Sequence, residues 1–367
     1  MRGRFLAALM TSPLLACALP GVALAQTVPV SPPLAGPGTI EPDGTVVVPS
    51  FRLPPSPYLS DAAKKALPRT PNDPEEPMMR AVAAGQAGVL RARMPQIMAP
   101  RLDALKAMYR VTTREEQIAG IPAVRATPSG GVVKANRGKI LLNLPGGGFI
   151  MGAAPGTGMV ESIPLAGLAG VEIVSITYRQ APEHVYPAAT QDVVRVYREL
   201  LKTHKPHDIA IFGCSAGGLL TAETIAALIR DTLPLPAAIG IFCASADARW
   251  GGDSRAFGRP FQGLAQREDV RAYFKGADMT DPLVSPVTDP KMLAQFPATL
   301  MITGTRAFEM SAAVNSHKEL VKAGVDADLH VWDGLGHAFF YDPALPESRE
   351  AFDVMARFFT KHLKLAR

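Results

Sequence analysis

At 367 residues, 47% of them apolar and 19% charged, the chain holds enough apolar mass for a large core and too little charge for a disordered polymer. Its formal charge of +5 is dispersed, with no Lys/Arg run to track phosphate backbones, so nucleic acid is not an expected partner. No His/Cys spacing matches a metal-ligand set, so no metal is expected.

The N-terminus reads as a secretory signal over residues 1–25. Arg2 and Arg4 form a basic start, residues 5–19 are largely apolar, and Ala23-Leu24-Ala25 is a small-x-small cleavage site before Gln26. The apolar run is too short to span a bilayer. Export to the periplasm or medium follows as an expectation, with lipid attachment at Cys17 a minor alternative. After cleavage only Cys214 and Cys243 remain, which is no disulfide framework. Residues 26–77 are dense in proline and predict an extended or poorly ordered leader with little helix or central strand. Residues 78–108 turn helical, and Pro95 and Pro100 should break that stretch into at least two pieces.

From about residue 109 onward, strands and helices alternate. Strands are predicted at 109–117, 122–127, 139–144, 171–177, 209–212, 237–242, 298–302 and 329–332, with helices at 188–201, 218–230, 311–323 and 347–363. Short apolar strands separated by helices indicate a mostly parallel sheet covered on both faces. The first two strands follow each other without a helix and should pair antiparallel. Residues 244–296 carry few strand signals and read as an insertion in the domain spanning 109–367.

Within this frame, the most informative segment is Gly213-Cys214-Ser215-Ala216-Gly217, between an apolar strand and a helix. That layout is a nucleophile elbow, too tight for side chains beside the serine, with the hydroxyl held above the sheet. Such a serine attacks an acyl carbon if a base and an oxyanion site lie nearby. Pro145-Gly146-Gly147-Gly148-Phe149, after the strand ending at Leu144, can turn the N–H groups of Gly147 and Gly148 toward one point together with that of Ala216. His337, in Gly334-Leu335-Gly336-His337-Ala338-Phe339, follows the last strand, where the base of a Ser…acid…His order belongs. An imidazole titrates near neutrality, so it can take a proton and return it.

Five segments together resemble the hormone-sensitive-lipase-like (family IV) esterases. They are the glycine run, Tyr178-Arg179-Gln180-Ala181-Pro182-Glu183-His184, the Gly-x-Ser-Ala-Gly-Gly elbow, Asp281-Pro282-Leu283-Val284-Ser285-Pro286, and the Gly-His-Ala-Phe end. The resemblance runs from about Lys139 to His362. It implies an α/β-hydrolase fold, with a mostly parallel eight-stranded sheet, helices on both faces, and a helical cap built from the N-terminal helices and the insertion. It also implies hydrolysis of small-molecule carboxylic esters, usually of short to medium acyl chain; the serine mechanism itself needs no cofactor.

Three positions depart from the pattern that the resemblance implies. Pro145 stands where the glycine run normally begins with histidine, and Cys214 where aspartate normally precedes the serine. After the strand at 298–302 the family places an aspartate where this chain has Ala307; the nearest carboxylate is Glu309. Glutamate reaches one methylene further, so Glu309 is the favoured orienting acid, because a triad is defined by geometry and not by position. Asp333 and a Ser–His pair lacking a strong acid are the alternatives. A decayed triad would leave a non-catalytic small-molecule-binding protein on the same scaffold.

Overall fold

The computed structural model describes residues 37–68, 73, 76–266 and 272–366; the expected secretory signal, with Cys17, lies outside them. The chain divides into two compact units at Pro57. In the first, β1 (Thr39–Ile40) pairs antiparallel with β2 (Val46–Val47). Gly44, at φ 88°, closes the turn between them.

The second unit begins at Tyr58. The proline-rich stretch is not wholly extended, because it is free of proline between Pro57 and Pro68 and forms α1 (Asp61–Ala66) there. Ser60 caps this helix by accepting the Ala63 N–H at 3.0 Å, and its own hydroxyl donates to Glu347 at 3.0 Å. Next come α2 (Glu76–Ala83) and α3 (Ala87–Tyr109). The break expected at Pro95 and Pro100 is absent: α3 runs through both. The interruption falls instead at Gly85, at φ 67°. A proline deletes one helical hydrogen bond, whereas a left-handed residue redirects the chain.

The sheet contains β3 (Val111–Ile118), β4 (Ile121–Pro128), β5 (Ile140–Leu144), β6 (Glu172–Ile176), β7 (Ile209–Cys214), β8 (Ala238–Phe242), β9 (Ala298–Gly304) and β10 (Ala327–Trp332). Their order is β10-β9-β8-β7-β5-β6-β4-β3. The β3–β4 and β4–β6 pairs are antiparallel and all others parallel. The helices of the body are α4 (Met159–Ala169), α5 (Ala188–Leu200), α6 (Ala216–Arg230), α7 (Asp253–Phe261), α8 (Pro290–Leu293), α9 (Met310–Lys322) and α10 (Pro346–His362). Of these, α7 and α8 lie within the 244–296 insertion, and α4 was not expected from the sequence. Among the described residues, no helix is long and apolar enough to cross a membrane.

Strands β5, β7 and β8 are buried along their whole length, which is why they read as unbroken apolar runs. Alternate residues feed two cores. Leu142, Ile211 and Ile239 pack with Val193 of α5, Leu219 of α6 and Leu320 of α9. Leu141, Phe212 and Phe242 pack with Ile163 of α4 and Phe352 and Phe359 of α10. Each such side chain contributes roughly 1.5–3 kcal/mol relative to exposure. The order in which strands are added reverses at β5, which sits between β6 and β7. In open α/β sheets a ligand crevice lies at such a switch point, beyond the carboxyl ends of the strands.

Candidate active site

The elbow and the glycine run leave the carboxyl ends of neighbouring strands, since Leu144 of β5 lies opposite Gly213 of β7. Ser215 adopts φ 58°, ψ −123°, a strained backbone for a residue with a side chain. It is half-buried, whereas its neighbours Cys214 and Ala216 are fully buried. Both flanking glycines are sterically required. A Cβ on Gly213 or on Gly217 would overlap the Leu144 carbonyl oxygen. Gly217→Ala should therefore cost at least about 3 kcal/mol, the upper range for overpacking, measured by denaturant unfolding.

The structure brings Ser215, His337 and Glu309 into one hydrogen-bonded chain. His337 Nδ1 lies 2.9 Å from Glu309 Oε2, and His337 Nε2 lies 2.9 Å from Ser215 Oγ. A carboxylate only accepts, so Nδ1 carries the proton and Nε2 is free to accept from the serine hydroxyl. Glu309 is fully buried. It sits at the N-cap of α9, yet its side chain makes no cap bond there. The carboxylate instead takes the Thr303 hydroxyl at 3.1 Å on Oε1 and the imidazole on Oε2. Asp333 turns elsewhere: it is exposed and accepts from the Thr305 hydroxyl at 3.1 Å. Ala307 is fully buried and brings no polar group.

The turn that carries Glu309 is stitched to α7 of the insertion. Ser254 N donates to Ser311 Oγ at 2.9 Å, Ser254 Oγ donates to the Phe308 carbonyl at 2.9 Å, and Ser311 N donates back to Ser254 Oγ at 2.8 Å. Gln262 donates to the Arg306 carbonyl at 3.1 Å. The Phe308 ring lies 4.7 Å from the His337 ring and 5.4 Å from Trp250, building an aromatic wall beside the imidazole.

On the other side of the serine, Gly147 and Gly148 adopt φ 139° and 64°. Among the described residues, no protein group accepts their N–H. Ala216 is the first residue of α6, so its N–H lies at the positive end of a helix dipole. The glycine run is braced at its start: the Tyr178 hydroxyl donates to the Pro145 carbonyl at 2.6 Å, and the Thr157 hydroxyl to the Gly146 carbonyl at 2.8 Å.

Sequence reasoning missed four residues around the site. Thr303, one residue past the predicted strand at 298–302, carries no motif that marks it, yet its hydroxyl bonds Glu309. Cys243 accepts the Ala338 N–H at 3.2 Å just beyond the imidazole. Glu161 and Tyr341 meet behind the glycine run, where the carboxyl accepts the hydroxyl. A lone carboxylate in the otherwise apolar α4 was the available signal for Glu161. Ligand atoms of Cys243, Glu309 and His337 lie within 4.8 Å of one another. Two of the three are already bonded to each other.

Comparison with known proteins bears on the fold and the family. A family model described as alpha/beta hydrolase fold matches residues 141–341. An acetyl-hydrolase of Streptomyces hygroscopicus is 31% identical over 227 residues, covering 60% of this chain and 75% of that protein. An esterase of Acinetobacter venetianus is 25% identical, covering 72% and 89%. Among solved structures, esterase E25 superposes with a TM-score of 0.74 at 29% identity, covering 88% of this chain and 99% of its own. An esterase of the bacterial hormone-sensitive lipase family superposes with a TM-score of 0.64 at 28% identity, covering 80% and 100%. By its fold, its matched segment and its relatives, the chain belongs to the α/β-hydrolase-fold family, among the hormone-sensitive-lipase-like esterases.

Proposed function

We propose that the protein is a serine carboxylesterase that hydrolyses esters of short to medium acyl chain. The observation that carries this reading is the continuous Ser215–His337–Glu309 hydrogen-bonded chain, at 2.9 Å on each link to the imidazole. Ser215 attacks the ester carbonyl while His337 takes its proton, and Glu309 holds the tautomer and steadies the imidazolium. The N–H groups of Gly147, Gly148 and Ala216 receive the developing oxyanion. His337 protonates the departing alcohol, then activates the water that frees the acid from the acyl-enzyme. The reaction balances with ester and water alone. The Phe308–Trp250 wall favours an apolar acyl group beside the imidazole.

The helices α2 and α3 and the insertion at 244–296 form the cap in this reading. Arg91 of α3 supports it by donating to the carbonyls of Ile150 and Ala181, at 2.9 and 3.0 Å, on the segments flanking the site. Export after cleavage at Ala25 is part of the same proposal, resting on the sequence of residues 1–25.

A fluorophosphonate probe tests the reading directly. Stoichiometric labelling at Ser215, found by peptide mass, is the expected result. Absence of labelling in folded protein would leave a binding protein on a hydrolase scaffold.

A further inference from the structure

One buried carboxylate holds the glycine run from behind. Glu161, the only charged residue of α4, is 1% exposed. Its Oε1 accepts the backbone N–H of Gly146 at 3.2 Å and also the Tyr341 hydroxyl; its Oε2 accepts Asn143 Nδ2 at 2.7 Å. Asn143 belongs to β5 and in turn accepts the Ser175 hydroxyl of β6 at 2.7 Å. The Tyr341 hydroxyl also bears on the glycine: a Cβ at Gly146 would lie 2.9 Å from it and 2.7 Å from the Cys214 carbonyl oxygen. Gly146 is therefore clamped between Cys214, the last residue of β7 before Ser215, and the Glu161–Tyr341 pair. Tyr341 itself lies four residues beyond His337 on the same loop.

Thr157 holds the carbonyl side of Gly146 at 2.8 Å, and among the described residues only Glu161 takes its N–H. Pro145 has no N–H to give. The Cys214 thiol is held well above its ordinary range, by burial first and by Cys243 second, so it is neutral. Burial raises the Glu161 carboxyl, and the bonds from Tyr341, Asn143, Gly146 and the Cys214 backbone limit the rise to about 7. Asn143, Gly146 and Tyr341 all donate to it, so the ionised carboxylate is the form that matches its surroundings.

We propose that Glu161 and Tyr341 are positioning residues of the esterase: they fix Gly146 so that the Gly147 and Gly148 N–H groups stay aimed at the oxygen that becomes negative. The proposal rests on the esterase reading above. Support of this kind acts on the transition state and not on substrate binding.

The test uses Glu161→Gln and Tyr341→Phe in the full chain, with a p-nitrophenyl butyrate assay, inhibition by an aryl trifluoromethyl ketone, and thermal melting. The ketone adds to a serine hydroxyl as a stable hemiketal oxyanion. Both variants should lose about tenfold to 100-fold in kcat, less than the ~10²–10³ for deleting an oxyanion donor outright, with KM within about twofold. The Ki of the ketone should rise by the same factor by which kcat/KM falls. A purely structural role would lower the melting temperature and leave kcat per labelled serine and Ki unchanged. That outcome in folded Tyr341→Phe, which removes one hydroxyl only, overturns the proposal even if Glu161→Gln does not fold. Wild-type protein that turns over no ester would instead overturn the esterase reading itself.

Discussion

Ser215→Ala should abolish turnover of a short aryl ester, with a fall in kcat of about 10⁶-fold, the scale seen when a triad nucleophile is removed. The substitution deletes one oxygen and leaves the backbone anchor intact, because the Ser215 N–H still donates to the Phe242 carbonyl at 2.8 Å. The side chain makes no helix-capping bond whose loss could loosen α6. Melting temperature should therefore stay close to wild type while activity disappears. Residual catalysis above the water rate would come only from the oxyanion donors and from binding. Wild-type rates in the alanine variant would show that hydrolysis occurs elsewhere on the molecule, and the esterase mechanism given above would fall.

The second large effect is expected at Glu309. Glu309→Gln keeps the size of the side chain but replaces the carboxylate by a neutral amide. The amide no longer steadies an imidazolium, and its NH₂ group competes for the tautomer that leaves Nε2 free. A loss of about 10³–10⁴ in kcat follows, as for a triad acid made neutral in place. The Thr303 hydroxyl, which donates to the carboxylate, can still donate to the amide oxygen, so packing should survive. Measuring wild type and variant over a series of acyl lengths would separate pocket size from chemistry: the loss should be uniform across the series, and KM should not move. Asp333→Asn is the comparator and should stay near wild type, since its carboxylate faces Thr305. Unchanged kcat in Glu309→Gln would strike Glu309 from the mechanism.

The sequence made the central strands plain because β5, β7 and β8 are buried on both faces and have no polar side to hide. Ser215 and His337 were equally plain, because each sits in a local glycine-bounded motif whose geometry is set within a few residues. Helix α4 was not legible for the opposite reason. It is buried from Met159 to Ala166, so it shows no polar stripe, and Pro164 within it reads as a breaker. The break in the N-terminal helices was placed at the prolines instead of at Gly85, because local punctuation cannot say whether a long helix tolerates a missing hydrogen bond. The meeting of Glu161 with Tyr341, 180 positions apart, leaves no mark in either segment alone. The carboxylate two residues past the expected position could be named as a candidate, but only the fold puts Glu309 Oε2 against the ring.

The reciprocal serine bonds between α7 and residues 308–311 make the insertion and the acid-bearing turn one mechanical piece. Displacing that helix would pull on the turn that holds Glu309 at 2.9 Å from the imidazole. The seating of the proposed cap and the aim of the base thus depend on the same three short bonds.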